Sequence, residues 1–174
     1  SSAVLQCYSN KTEVIELGIN IKRFSNSHTP KIGTRQLHAR YRHGIILFVG
    51  KFRYYKCLPV LLKAMCQVQG NLLLIGSGPE ESKLRRMVVD FGIAHKVHFL
   101  GELSDRHVDA YYRACDVFVL PSCYRSEAFG VVLLEAMASG SPVVSTELGT
   151  GTTYNNLHRK TGMVVPPGNP KVLS

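Results

Sequence analysis

The sequence predicts an α/β fold in which a parallel sheet carries helices on both faces. Apolar runs rich in β-branched residues alternate along the chain with longer segments of helical periodicity, and this alternation is typical of βαβ units. The main apolar runs are continuous, which indicates strands that are buried on both faces. Gly and Pro lie at many junctions between the two kinds of segment, where the chain must turn.

The predicted elements follow one another in a regular order after a short apolar run at 13–19. Residues 22–43 are polar and basic and contain Pro30 and Gly33, so we expect a long loop there. The predicted strands are 45–49, 71–75, 96–100, 116–120, 142–146 and 162–166. The predicted helices are 59–68, 80–91, 104–114, 129–139 and one that begins near Pro170. Residues 149–156 are rich in Gly, Thr and Asn and are expected to form another loop.

Right-handed crossovers between successive parallel strands make this a predicted Rossmann-like domain. The chain has 174 residues, of which 45% are hydrophobic. This suffices for one domain with a core and argues against two, so residues 1–174 are predicted to form a single domain. Both ends of the sequence look cut off, and we expect the chain to be a piece of a longer protein.

The sequence shows no sign of export or membrane insertion. No apolar run is long enough for a transmembrane helix, and the first residues lack the pattern of a signal peptide. The five cysteines are odd in number and show no Cys-x-x-Cys spacing. This argues against a disulfide framework or a zinc site and favours reduced, buried thiols, so we expect a cytoplasmic protein.

The positive charge is concentrated in the first third of the chain. The net charge is +9, and residues 1–63 carry eleven Lys and Arg but only two acidic residues. The remaining residues carry ten of each sign. Phosphates or an anionic membrane surface are candidate partners. Nucleic acid is not expected, because aromatic residues do not interleave the basic ones in a nucleic-acid motif.

Ligands of open parallel sheets bind where strands end and loops run into helix N-termini, and the loop after the predicted strand 45–49 is the first candidate. It contains Gly50, Lys51, Arg53 and Lys56. Three cations beside a Gly that permits close approach suit a phosphate site. An exposed basic loop explains the pattern equally well at this point.

The second candidate loop contains Gly76 and Gly78, which form a tight turn after the predicted strand 71–75. A dinucleotide fingerprint needs a third Gly, and Glu81 stands in its place. A nicotinamide cofactor is therefore not predicted.

The third candidate loop contains Glu127 and precedes the predicted helix 129–139. That helix is apolar on every face, which predicts burial, but it contains Glu135, and a buried carboxylate needs a hydrogen-bonding partner or a ligand. Gly130 opens the helix, where free N–H groups and the helix dipole favour an anion. An anion between two carboxylates suits a diphosphate that joins two polyols, as in a nucleotide sugar.

These motifs together resemble the carboxy-terminal, donor-binding domain of retaining GT-B glycosyltransferases, in particular glycosyltransferase family 4, also called group 1. The resemblance covers roughly residues 13–170 and follows the order of the motifs in the family. It rests on "VIELGIN", "ILFVGKFRYYK", "LLLIGSGPEESKLR", "KVHFLGEL", "DVFVLPS" and "SEAFGVVLLEAMASGSPVVST". The two glutamates of the last motif are its most specific feature.

The resemblance implies roles for the residues of this last motif. Glu127 is similar to the catalytic-site glutamate that hydrogen-bonds the transferred sugar. The backbone of Phe129, Gly130 and Val131 would lie at the diphosphate, and Glu135 would accept hydrogen bonds from the ribose hydroxyls.

The resemblance also implies roles for the earlier loops. Lys51 and Lys56 would hold the donor phosphates next to Gly50, and the turn at Leu103 would line the base. Lys51 stands where the family usually has Arg and lacks the planar fork of that side chain. Cys57 replaces a Gly that usually follows Lys56, which would restrict the loop.

A nucleotide-sugar donor and metal-independent transfer of a hexose of the mannosyl or glucosyl type are implied in the same way, and the sequence contains no Asp-x-Asp motif. The acceptor, a glycan, a lipid-linked sugar or a polysaccharide, would bind an amino-terminal domain that is absent here, so this chain alone would be inactive. The cytoplasmic protein would be free or peripheral at the inner membrane face. Two alternatives stay open: a nucleotide-sugar epimerase of the same architecture, and a non-catalytic basic module that binds polyanions or a membrane surface.

Overall fold

The computed structural model describes residues 6–13, 15, 17–25 and 33–174, and the described residues contain one six-stranded sheet. Its strands are β1 (Ile45–Val49), β2 (Asn71–Ile75), β3 (Val97–Gly101), β4 (Val117–Leu120), β5 (Val143–Thr146) and β6 (Met163–Val165). All neighbouring strands are parallel. The predicted α/β class and the positions of the strands are confirmed.

The helices alternate with the strands after two short ones at the start. They are α1 (Lys22–Ser25), α2 (Thr34–Arg40), α3 (Leu58–Met65), α4 (Glu81–Asp90), α5 (Asp105–Ala114), α6 (Val131–Ala138), α7 (Gly151–Asn155) and α8 (Pro170–Leu173). Single turns of 3-10 helix lie at Ser9–Lys11 and Tyr54–Lys56. Ser104 occupies the predicted N-cap position of α5, but its hydroxyl bonds the His107 ring and does not cap the helix.

Two predicted loops contain helices, and these predictions are wrong for the residues described. In the stretch 22–43, α1 and α2 are mostly polar, and each has one buried anchor, Phe24 and Leu37. A single apolar anchor leaves no helical periodicity to detect. In the stretch 149–156, the buried side chains of α7 are polar, so hydrophobic periodicity could not reveal that helix either.

The strand order is β3-β2-β1-β4-β5-β6, so the direction of the order reverses between β1 and β4. These two central strands pair through Ile46 with Val117 and Leu47 with Phe118. In open parallel sheets the ligand crevice lies outside the carboxyl ends of the strands at this switch point. The fold therefore brings the loops that follow β1 and β4 to the same place.

Helices cover both faces of the sheet. The first group, α1, α2, α5, α6 and α7, is linked by mutual contacts, as are α3, α4 and α8 in the second group. Central strand residues such as Leu47, Phe48, Leu73 and Phe118 are fully buried between them. None of the described helices has both the length and the apolar character needed to cross a membrane.

The helix α6 is less buried than its composition predicts. Leu133 and Ala136 are buried, but 39% of Val131 is exposed, and Leu134 and Met137 are half-buried. A helix in an outer layer buries one face against the sheet, whatever residues cover the other face.

The prediction of buried thiols is correct for one cysteine and wrong for two. Cys115 is buried, whereas Cys7 and Cys66 are exposed. The remaining pair, Cys57 and Cys123, is half-buried in the loops after β1 and β4.

Candidate functional site

A buried ion pair joins the two loops at the switch point. The ammonium of Lys56, after β1, lies 2.5 Å from Oε2 of Glu127, after β4, and both side chains are only 9% exposed. The Ser122 hydroxyl donates to the same Oε2 at 2.9 Å. Among the described residues, Oε1 of Glu127 has no hydrogen-bond partner, so this oxygen is available to a ligand. The sequence predicted both residues as site residues but did not predict that they pair.

The short helix α7 holds the Glu127 loop in place through main-chain carbonyls. The Thr150 hydroxyl donates to the carbonyl of Glu127 at 2.9 Å. The backbone N–H of Gly151 donates to the carbonyl of Ala128 at 2.8 Å. The Asn155 amide donates to the carbonyl of the next residue, Phe129, at 2.6 Å. The polar segment that looked like a loop in the sequence therefore fixes three successive peptide units at the candidate site.

A cavity of about 270 Å³ opens at the carboxyl ends of β1, β2 and β3. It contains four residues that the sequence predicted as donor-binding: Gly50, Lys51, Leu103 and Glu135. The other lining residues are Arg23, Val49, Ile75, Gly76, Glu102, Asp105 and Val108. Apolar walls with a few converging charged groups are typical of small-molecule sites.

The carboxylate of Glu135 has partners inside the chain, which is one of the two possibilities that the sequence left open for it. Its Oε2 accepts a hydrogen bond from the buried Tyr112 hydroxyl at 3.0 Å. Its Oε1 lies 3.9 Å from the guanidinium of Arg23. Burial raises the pKa of the Glu135 carboxyl above its ordinary value, and the Tyr112 hydrogen bond and the Arg23 charge reduce this rise.

Arg23 lines the cavity but was not among the residues predicted from the sequence. Its guanidinium bonds both carboxylate oxygens of Asp109, at 2.8 and 3.3 Å, and lies 3.1 Å from Asp105. The neighbouring Phe24 is buried in the core and fixes this segment to the domain. An Arg beside a Phe in a polar stretch was the available signal, but its acidic partners are far away in sequence.

The second lysine of the β1 loop, Lys51, pairs with Glu102 at the mouth of the cavity. Both side chains are largely exposed. The Ser77 hydroxyl donates to the same carboxylate at 2.5 Å. The hydrogen bond from Lys51 and, to a smaller extent, the one from Ser77 lower the pKa of the Glu102 carboxyl. An anionic ligand would have to compete with Glu102 for this lysine.

The residue before α6 is a glycine whose left-handed conformation and close neighbours leave little room for a side chain. Gly130 has a φ of 71°, and a Cβ there would lie 2.9 Å from Cγ2 of Thr152. As the N-cap residue, Gly130 makes no side-chain cap, so the first N–H groups of the helix remain for other acceptors. Phe129 is half-buried and Val131 is exposed on either side of it. The structure thus places the three predicted diphosphate residues at a helix N-terminus in the loop that carries Glu127.

We expect Cys57→Gly to be more stable than Cys57→Ala by about 1–2 kcal/mol. Cys57 has a φ of 49° and lies between the turn at Tyr54–Lys56 and α3. Gly adopts this left-handed conformation without a Cβ penalty, whereas Ala keeps the strain and removes only the thiol. Urea denaturation of the two variants measures the difference in their free energies of unfolding, which reports the strain of the left-handed backbone. Equal stabilities would show that the left-handed conformation costs nothing at this position.

The fold is similar to that of the Anabaena protein Alr3699/HepE, whose crystal structure is in complex with UDP-glucose. The TM-score is 0.83 at 24% sequence identity, over 95% of this chain and 46% of that one. The family model described as "Glycosyl transferases group 1" matches residues 35–174. The fold and the match together define a glycosyltransferase domain of the GT-B architecture.

The chain belongs to the group 1 glycosyltransferases. It is 40% identical over 173 residues to the D-rhamnosyltransferase WbpZ of Pseudomonas aeruginosa. It is 37% identical over 175 residues to the O-antigen chain mannosyltransferase C of Escherichia coli. These matches cover 98% and 99% of this chain. They cover only 44% and 46% of the relatives, so the chain spans less than half of each.

The predicted site residues fall into two neighbouring groups around the switch point. One group lines the cavity, and the other consists of the Lys56–Glu127 pair and the start of α6. The roles assigned to the individual residues remain predictions.

Proposed function

We propose that this chain binds a nucleotide-diphospho-sugar donor and presents its sugar for retaining transfer. The observation that carries the proposal is the Lys56–Glu127 pair at the switch point, beside a cavity that contains Glu135. Glu127 would bind the sugar through its free oxygen, and Glu135 would bind the ribose. The UDP-glucose complex of the Anabaena protein, which has a similar fold, supports this class of ligand.

Transfer breaks the bond between the anomeric carbon and a diphosphate oxygen, so negative charge develops on the leaving diphosphate. The cation of Lys51 and the N–H groups at the start of α6 would stabilise this charge more in the transition state than in the bound donor. We propose metal-independent chemistry, in which Lys51 and the N–H groups at the start of α6 would supply the positive charge that stabilises the leaving diphosphate. Glu127, fixed by Lys56 and Ser122, would orient the sugar.

The proposed sugar is a hexose of the mannosyl or glucosyl type, and the proposed acceptor is a glycan, a lipid-linked sugar or a polysaccharide. The names of the two relatives, a D-rhamnosyltransferase and an O-antigen chain mannosyltransferase, support this range. The acceptor would bind mainly to the amino-terminal domain of a longer protein, so the chain alone would bind a donor without transferring it. Transfer requires an acceptor hydroxyl held close to the anomeric carbon.

The test is a calorimetric titration of the chain with a panel of nucleoside diphosphates and their hexose conjugates. We expect at least one diphosphate to bind and its parent nucleoside to bind more weakly, because Lys51 and the N–H groups at the start of α6 would contact the phosphates and not the nucleoside. If no member of the panel bound, the proposed function would be wrong.

We expect Glu135→Gln to weaken binding of the preferred nucleoside diphosphate about ten-fold. The amide carbonyl can still accept from Tyr112 and from a ribose hydroxyl, but it lacks the charge that strengthens these bonds. Because the hydrogen bond from Tyr112 is retained, the free energy of unfolding should change by less than about 1 kcal/mol. The matched control is Glu81→Gln, which removes a carboxylate that pairs with Arg85 on the surface of α4 and should leave affinity unchanged.

The pH dependence gives an independent readout of the same group. Because burial raises the pKa of Glu135 above 4.5, the carboxylate becomes protonated on acidification before an ordinary Glu does, and affinity should fall with it. Glu135→Gln should remove this part of the pH dependence. The sign for stability is opposite: the contribution of Glu135 is fully present below the unfolded-state pKa and is lost as pH rises through the folded-state pKa. An unchanged affinity profile in the variant would refute the ribose role.

The family assignment favours a transferase over the epimerase and the basic binding module. Part of the positive charge in the first third of the chain is also neutralised in the structure, because Arg23, Lys51 and Lys56 form ion pairs with acidic residues. Binding at an anionic membrane surface stays a prediction. A salt titration separates the possibilities, since polyelectrolyte binding weakens steeply with salt and donor binding should weaken modestly.

A further inference from the structure

Three tyrosines form a contiguous aromatic surface, here called the tyrosine platform, which consists of Tyr54, Tyr55 and Tyr124. The ring centroids of Tyr54 and Tyr55 are 5.7 Å apart, with their planes at 89°. Those of Tyr54 and Tyr124 are 5.6 Å apart at 58°. Tyr54 is 62% exposed and Tyr124 is 52% exposed. The platform therefore presents two differently inclined aromatic rings to solvent.

The platform lies at the switch point of the sheet. Tyr54 and Tyr55 belong to the 3-10 turn after β1, and Tyr124 follows β4. The backbone N–H of Cys123 donates to the carbonyl of Tyr55 at 3.0 Å and joins the two loops. Because both loops leave the carboxyl ends of central strands, the platform faces the same side of the sheet as the candidate site.

A chain of direct contacts connects the platform to Glu127. The ammonium of Lys56 lies 5.6 Å from the ring centroid of Tyr55 and 2.5 Å from Oε2 of Glu127. The two outer tyrosines continue from Tyr55 toward solvent. Direct contacts therefore link the exposed tyrosine rings to the carboxylate that is proposed to bind the transferred sugar.

The chemistry of the platform suits a carbohydrate. A pyranose ring presents C–H bonds on one face and hydroxyls at its rim. The face of an aromatic ring is partly negative and attracts such C–H groups, while the tyrosine hydroxyl offers a polar tip. Arg53 and Arg125 are adjacent to the platform tyrosines in sequence and are exposed, so their guanidinium groups could donate to sugar hydroxyls, although one N–H of Arg125 donates to the carbonyl of Leu148 at 3.5 Å.

We propose that the tyrosine platform binds a pyranose unit of the carbohydrate acceptor next to the transferred sugar. This inference rests on the proposed function and extends it, since it gives this chain a part of the acceptor site. A second copy of the chain is the competing occupant, because exposed tyrosines are also frequent in protein interfaces.

The test uses the 174-residue chain with a linear mannose oligosaccharide as the probe. Saturation-transfer NMR detects contact with the sugar, and tyrosine fluorescence measures affinity, since the chain contains no Trp. We expect Tyr54→Ala combined with Tyr124→Ala to weaken saccharide binding at least about ten-fold, with the affinity for the nucleoside diphosphate unchanged. Tyr54→Phe combined with Tyr124→Phe keeps the rings and should bind within about two-fold of the parent chain.

The control is Tyr8→Ala, which removes a tyrosine of similar exposure outside the platform and should have no effect. The inference is overturned if the parent chain binds the diphosphate but not the saccharide, or if Tyr8→Ala weakens saccharide binding as much as the platform variant. It is also overturned if the platform variant abolishes self-association in sedimentation and leaves saccharide binding intact. A chain that binds neither ligand would refute the proposed function itself.

Discussion

Replacing Lys56 by Met is expected to lower the free energy of unfolding by about 3–5 kcal/mol and to abolish donor binding. The change leaves the carboxylate of Glu127 without its cation in a place where its side chain is only 9% exposed. Ser122 alone would remain as a hydrogen-bond donor to it. Urea denaturation measures the stability, and calorimetry with the preferred nucleoside diphosphate sugar measures the binding.

Two further variants separate the structural role of this pair from its role in binding. Lys56→Met combined with Glu127→Leu removes both charges, so stability should return to within about 1–2 kcal/mol of the parent chain, but donor binding should stay lost. Lys83→Met breaks an exposed pair with Glu80 and should cost less than about 1 kcal/mol. A double variant that still bound the donor normally would show that the pair is purely structural.

Replacing Gly76 by Ala is expected to destabilise the domain by about 4 kcal/mol or more. Gly76 has a φ of 128°, and a Cβ there would lie 2.0 Å from the carbonyl oxygen of Gly50. The N–H of Gly76 donates to the carbonyl of Gly101 at 2.8 Å, so the peptide cannot move away without breaking a bond between strand ends. The loops after β1, β2 and β3 would all have to shift.

The matched control for this prediction is Gly92→Ala. Gly92 also has a positive φ, 67°, but its added Cβ would meet nothing within 4 Å. This variant should cost only the left-handed strain, about 1–2 kcal/mol. Soluble yield and resistance to limited proteolysis rank the two variants even if Gly76→Ala does not fold. Similar losses would mean that the contact between Gly50 and Gly76 relaxes easily.

The strands of the sheet were predictable because most of them are short continuous apolar runs between turn residues. Such a run is too short for a typical helix and is therefore predicted to be a buried strand. The helices α1 and α2 could not be predicted in this way, since each has a single buried apolar residue, Phe24 or Leu37. The helix α7 depends on polar bonds, such as that of Asn155 to the carbonyl of Phe129, which no local pattern shows.

The candidate site was predictable as a set of residues but not as an arrangement. Lys56 and Glu127 meet because β1 and β4 are neighbours in the sheet, and strand order is a property of the whole chain. Arg23 was missed because its contacts are with Asp109 and Glu135, which reach it only after the helices have packed. Residue types and spacing therefore indicate which chemistry is available, while long-range packing decides which charges meet.

The contacts of Arg23 show that the segment matched by the family model is shorter than the segment that forms the cavity. The family match begins at residue 35, and a chain trimmed to that point would retain every strand of the sheet. It would lose one wall of the cavity and leave Asp109 and Glu135 without the cation that lies between them. The charge balance of the cavity therefore depends on a residue that lies upstream of the first strand.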